Sequence, residues 1–256
     1  QVRYTVEHYI QNTDLTTYTL KETENTLTGH LGSTVTATAK TYTGFSVTQT
    51  DETVASGIVV DDGSLVLKLY YNRNTYKLPL NVDGEIEEIE YVYGEEITLP
   101  TDKEKEGYTF EGWHDNENLT GAPIEKVDTS KIDPENPPTY YIKWTAKEGI
   151  DYTVKHYKQQ GNTITYELAD VDHLKGTTGE EVTATAKTYE GYVENTTANE
   201  RIPSGIVKGD GSLELVLIYD TIKLTVIFKD GENTVDTQTI VYGENATAPV
   251  LEKEGY

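Results

Sequence analysis

Forty-four acidic side chains in 256 residues put carboxylates side by side at Asp61-Asp62, Glu87-Glu88 and Glu95-Glu96. Neighbouring carboxylates can divide into a general acid and a general base. Each of these pairs sits in turn-like or strand-edge surroundings, where acidic residues close turns and discourage edge-to-edge pairing. That solvated role is the preferred reading. Five histidines are present, but no HxH or HxxxH spacing offers two imidazoles to one metal. His8 and His156 alternate with apolar residues and are expected to be half-buried and satisfied. The acidic turns DNEN (Asp115–Asn118) and DPEN (Asp133–Asn136) lack the spaced carboxylates and distal Glu of a calcium loop. With no phosphate loop, nucleophile elbow or metalloprotease helix, the expectation is neither an enzyme nor a cofactor-bearing protein.

Trp113 is the candidate ligand-binding residue. In YTFEGWHD, strict alternation places Tyr108, Phe110 and Gly112 on one face and turns Trp113 outward with Thr109 and Glu111. An outward indole beside polar groups is a platform for a sugar ring. The competing and preferred reading is a bulge at Gly112 that returns Trp113 to the core.

Composition narrows the class. A formal net charge of −23 opposes nucleic acid, which needs a basic surface, and anionic lipid. No run approaches the ~20 apolar residues of a membrane-spanning helix, and a soluble piece is expected. The chain has no Cys, which leaves no disulfide or thiolate metal site. It has no Met, even at position 1, which suggests a piece of something longer, without a signal peptide of its own. Twenty Tyr against three Phe and two Trp suit thin cores whose side chains reach from the interior to water.

The elements that position these residues are duplicated. VTATAKTY occurs at Val35–Tyr42 and Val182–Tyr189. YTVEHY at Tyr4–Tyr9 returns as YTVKHY at Tyr152–Tyr157, and SGIVVDDGSLVLKLYY at Ser56–Tyr71 as SGIVKGDGSLELVLIY at Ser204–Tyr219. VYGE (Val92–Glu95, Val241–Glu244) and KEGY (Lys105–Tyr108, Lys253–Tyr256) follow in the same order. Ordered blocks at a nearly constant offset are the mark of a repeat. Each unit splits again, giving segments A (1–74), B (75–148), A′ (149–220) and a truncated B′ (221–256).

Period-two alternation in YTVEHYI and SLVLKLYY predicts half-buried strands. Val35, Ala37 and Ala39 are expected to face inward and the threonines between them outward. Asp62-Gly63, Asp83-Gly84 and Asp230-Gly231 are predicted hairpin turns. Short helices are expected at Thr101–Glu106 and around Glu125–Ile132. The class is therefore mainly β with short helices (α+β).

The DGEI turn, YGEEITLPTDKEKEGYTFEGWHD and the closing YYIKWTAK of segment B resemble the Listeria–Bacteroides repeat, also called the internalin B-type repeat. YTVEHY and SGIVVDDGSLVLKLYY in segment A resemble mucin-binding-protein (MucBP-like) repeats. The resemblance implies small β-grasp (ubiquitin-like) modules in an elongated array on an extracellular, cell-wall-anchored surface protein, usually of a Gram-positive bacterium and involved in adhesion. B departs by its Pro-bearing stretch Ile132–Pro138, and B′ lacks the EGW and KWT strands. Two functions follow from these readings. One is a non-enzymatic spacer or stalk, in which stacked modules need only neighbour contacts. The other is direct binding of host mucin, glycan or surface protein. A hydrolase would need a convergent polar site that the sequence lacks.

Overall fold

Alternation becomes strand over most of residues 1–250, the residues described by the structure, a computed structural model. The second KEGY and the end of segment B′ lie outside the described residues. Segment A contains β1 (Val2–Gln11), β2 (Tyr18–Gly29), β3 (Thr34–Thr36), β4 (Phe45–Thr48), β5 (Ser56–Ile58) and β6 (Val66–Arg73). β1 and β6 lie at the centre of a sheet ordered β2-β1-β6-β4. They run parallel, with Val6 opposite Leu67 and His8 opposite Leu69. β3 and β5 form a separate antiparallel pair. Val6, Leu67, Leu69 and Tyr71 are buried on the inner face, as period two requires.

Segment B repeats this plan. Its strands are β7 (Thr75–Val82), β8 (Glu85–Val92), β9 (Glu96–Thr98), β10 (Tyr108–His114), β11 (Lys126–Asp128) and β12 (Tyr140–Ala146). They give a sheet β10-β12-β7-β8 and a small β11-β9 pair, with β12 parallel to β7. Its core gathers Leu78, Leu80, Tyr91, Leu99, Trp113 and Ile142.

Segment A′ has β13 (Ile150–Gln159), β14 (Tyr166–Gly176), β15 (Glu181–Thr183), β16 (Tyr192–Glu194), β17 (Ser204–Ile206) and β18 (Glu214–Thr221), in the order β14-β13-β18-β16 with a β15-β17 pair. In B′, β19 (Lys223–Asp230) and β20 (Asn233–Val241) make a hairpin. By contact the chain divides into two units, residues 1–103 with 110–144, and residues 104–109 with 145–256.

Three expectations need correction. Thr101–Glu106 is loop, and Glu125–Ile132 holds β11 and a single 3-10 turn, Thr129–Lys131, capped by the Asp128 carboxylate. Thr101–Glu106 carries charge without an apolar stripe, so it has no face to bury as a helix. The short helices are therefore absent among the described residues, and the class is mainly β. Asp62-Gly63 is a turn but not a hairpin, because β5 and β6 belong to different sheets. Asp83-Gly84 does close a hairpin, with both residues at positive φ, as a type I′ turn requires. Along VTATAKTY, Val35 and Ala37 are partly buried and the threonines exposed, but Ala39 is exposed too, because β3 ends at Thr36.

Leu215 lies at 0 % exposure in the A′ core. Leu215→Ala should lower stability by about 2–5 kcal/mol through lost burial and a residual cavity, as read from the urea midpoint.

Candidate functional site

His8 and His156 are the residues best equipped for proton chemistry, and the structure places them in matching networks. Both are fully buried rather than half-buried. The Lys40 backbone N–H donates to the Tyr71 hydroxyl oxygen at 2.9 Å. The phenol proton is then free to go to His8 Nδ1, 2.8 Å away. Nε2–H in turn donates to Glu24 at 3.0 Å. The Lys40 ammonium pairs with Glu24 at 3.2 Å and also with Glu22. The Tyr42 ring meets Tyr71 edge-on at 4.9 Å between centroids.

Segment A′ builds the same network. Lys187 N–H donates to the Tyr219 oxygen at 2.9 Å, Tyr219 lies 3.0 Å from His156 Nδ1, and His156 Nε2 lies 3.1 Å from Asp172. Lys187 pairs with Asp170 and Asp172, and Tyr189 meets Tyr219 at 4.9 Å. Carboxylate, imidazole and phenol in line resemble a proton relay, but each donor already has its acceptor and the hydroxyl lies inside the core. The carboxylate–imidazole–phenol line locks a strand pair in each copy; beside it the Tyr42 hydroxyl donates to Glu22, while the buried Tyr189 hydroxyl has no hydrogen-bond partner.

The network also sets the charges around it. The hydrogen bond from His8 holds the Glu24 carboxyl below the usual range, and that from Lys187 does the same for Asp172. Burial pushes the Tyr71 and Tyr219 phenols up. The hydrogen bond to Glu7 pushes Tyr9 up to about 12. Comparing the two copies residue by residue is the signal that finds the network: the Lys and last Tyr of VTATAKTY, the His of each YTVxHY and the last Tyr of each SGIV block all belong to it.

The adjacent carboxylates are solvated, as preferred. Glu88 pairs with Lys77 at 2.6 Å, Glu96 with Lys126 at 2.6 Å, and Glu87 with Lys103. Asp62 accepts from the Ser64 N–H at 2.9 Å, an ordinary turn contact. DPEN is closed by Asp133, which accepts from the Glu135 N–H at 3.0 Å. Trp113 does not present the open ring face that sugar binding would need. It is 1 % exposed, and its indole N–H donates to the Pro100 carbonyl at 2.7 Å. The cause is Gly112, at φ +119°, a conformation that breaks the alternation and turns the next side chain inward.

The sequence reading did not foresee the joints. One residue, Asn74, separates β6 from β7. Its N–H donates back to the Gly44 carbonyl at 2.8 Å, and its carbonyl accepts from the Tyr93 N–H at 3.0 Å. Both polar groups of the connecting residue are thus used, one on each side. Ile222, between β18 and β19, does the same with Gly191 (2.8 Å) and Tyr242 (2.9 Å). Within the second unit, Lys147 repeats the pattern with Gly107 (2.8 Å) and Thr178 (3.0 Å).

Gly44 has φ +79°, and a Cβ there would lie 2.1 Å from the Tyr93 ring. The joint therefore requires glycine twice over. Gly191 likewise has φ +79° and lies against Tyr242. Arg73 reinforces the first joint, donating to the carbonyls of Gln11 (2.8 Å) and Tyr93 (2.6 Å), with its guanidinium 5.1 Å from the Phe45 ring centroid. The repeated VYGE supplies Tyr93 and Tyr242.

Residues 75–134 match the family model of the Listeria-Bacteroides repeat domain. A protein of Evansella cellulosilytica named "Putative Gly-rich membrane protein" is 39% identical over 80 residues, which is 31% of this chain and 9% of that protein. A second from the same organism, named "Putative membrane protein", is 31% identical over 106 residues, 41% of this chain and 15% of its own length. The chain thus matches only a small part of these relatives. Of these matches, the family model is the one that falls within segment B, at residues 75–134.

His156→Leu should cost about 1–3 kcal/mol by stranding the buried Tyr219 hydroxyl, as read from urea unfolding. Raised phenol pKa values stabilise the fold below about pH 10, and that contribution is lost as pH rises through them. Lowered carboxyl values stabilise it above about pH 4, and that contribution is lost as pH falls through them. The urea midpoint should therefore stay level between about pH 5 and 9 and fall on either side.

Proposed function

We propose that this chain is a non-enzymatic spacer region of a bacterial surface protein, with modules that set the distance between an anchor and a more distal binding part. The observation that carries this reading is the joint. A flexible linker would leave its peptide groups to water. Here the single connecting residue is hydrogen-bonded to the module on each side. Length can then be added by copying a segment together with its joint, and each new interface repeats one already formed. The charge of −23 keeps such a region soluble and discourages self-association.

The finer assignment is part of the proposal. A mixed four-stranded sheet with its first and last strands parallel at the centre supports reading A, B and A′ as β-grasp-like modules, A and A′ of the MucBP-like kind. The match of residues 75–134 and the relatives named as membrane proteins support a place on the cell surface. Anchoring to the wall of a Gram-positive cell and service in adhesion belong to the same proposal.

The test displays the chain on a bacterial surface between a wall anchor and a nanobody, with one or two copies of residues 1–148. Capture of a bead-bound antigen through the surface polymer should rise with copy number. Gly44→Val should reduce that gain by expelling Tyr93 from the joint. Equal capture regardless of copy number would overturn the spacer reading.

A further inference from the structure

Segments A and A′ share their inner faces but differ at their leading ends, and the difference decides what each end can seat. In the second unit the leading end of A′ carries the Lys105–Tyr108 turn of segment B. That turn is closed by the Tyr108 N–H, which donates to the Lys105 carbonyl at 3.0 Å. Lys147 N–H donates to the Gly107 carbonyl at 2.8 Å, and Thr178 N–H to the Lys147 carbonyl at 3.0 Å. Gly107 and Thr178 are both buried there. Two glycines make the contact. A Cβ at Gly209 would lie 2.4 Å from Gly107 Cα, 2.5 Å from Gly107 N and 2.7 Å from the Glu106 carbonyl carbon. All three are backbone atoms, so no side chain can swing aside to make room. The φ of Gly209 lies outside the left-handed region, so the contact alone calls for glycine. On the other side of the turn, a Cβ at Gly179 would lie 3.1 Å from the Tyr108 hydroxyl.

Segment A builds its leading end with the same bonds. Gly32 N–H donates to the Val59 carbonyl as Gly179 N–H does to Val207, and Gly63 N–H to Val60 as Gly211 N–H does to Lys208. These bonds align Leu31 with Thr178 and Asp61 with Gly209. Leu31 is 63 % exposed where Thr178 is 7 % exposed, and a Cβ at Gly32 would meet nothing within 4 Å. Asp61 stands where the Lys105–Tyr108 turn meets A′. The same turn could close on segment A only by displacing backbone and by burying the Asp61 carboxylate against peptide groups, which is costly for an unpaired charge.

We infer that Gly209 selects the neighbour. The Lys105–Tyr108 turn of a B-type segment docks on the leading end of an A-type segment that has glycine in this slot, and is refused by one with a side chain there. Segment A′ is of the first kind and segment A, with Asp61, of the second. The two A-type segments are therefore not interchangeable in the array, although their cores are nearly the same. The inference concerns the order of segments and holds whether or not the array serves as a spacer.

The test is amide hydrogen exchange on the whole 256-residue chain, read at Lys147 and Thr178. Gly209→Asp gives A′ the residue that A carries in the same slot, and Gly209→Ala adds the Cβ alone. Both should speed exchange at Lys147 and Thr178 about tenfold or more by opening the joint locally, while the amides of β13 and β18 keep their protection. Lys208→Val, which installs the neighbouring residue of segment A, should leave all of them unchanged. Unchanged protection at Lys147 and Thr178 in either glycine variant would overturn the inference, as would equal loosening by Lys208→Val. Loss of protection throughout β13 and β18 would overturn it too, because Gly209 would then serve the fold of A′ and not the choice of neighbour.

Discussion

The structure depends on one constraint: the peptide group that joins two modules must be satisfied by both of them. With a single residue between β6 and β7, Asn74 cannot lie in water as a linker would. Its N–H reaches back to Gly44 and its carbonyl forward to Tyr93. Glycine at position 44 follows from the φ of +79° and from the tyrosine lying against it. The same requirement explains why a Gly-aromatic pair and a VYGE block recur together: they are the two halves of one joint.

A second constraint operates inside each A-type module. Parallel central strands need a long crossover, and the ends of that crossover must be tied to the sheet. VTATAKTY does this. Val35 and Ala37 pack inward, the Lys40 backbone and ammonium clasp the Tyr71–His8–Glu24 line, and Tyr42 caps Tyr71. The octapeptide recurs because four of its residues have fixed partners elsewhere in the module. Segment A′ shortens β14 by one residue relative to β2 and has one register shift with its partner strand where segment A has two. The Tyr–His–carboxylate line is kept, with Asp172 in the place of Glu24, since the difference falls between Glu24 and Leu27 and is absorbed by a bulge.

What could be read from the sequence was whatever has a local period. The inner faces of β1 and β6, the Asp83-Gly84 hairpin and the duplication all show within short windows. Other features depend on distant partners. His8 and Tyr71 are 63 residues apart, so no pattern around either one announces their bond. The helical reading of Thr101–Glu106 failed because charged residues favour a helix only weakly without a buried face. Trp113 was ambiguous because a single glycine decides whether alternation continues, and its φ is not written in the residues around it.

The parallel pairing of β1 and β6 has a mechanical consequence. The chain enters segment A at the start of β1 and leaves at the end of β6, and these adjacent strands point the same way. Tension along the chain therefore pulls the two strands in opposite directions along their common axis. Their hydrogen bonds are loaded together, in shear, instead of being peeled apart one at a time. Segment A′ has the same geometry in β13 and β18. A sheet wired in this way resists stretching most strongly along the line on which its own connections pull.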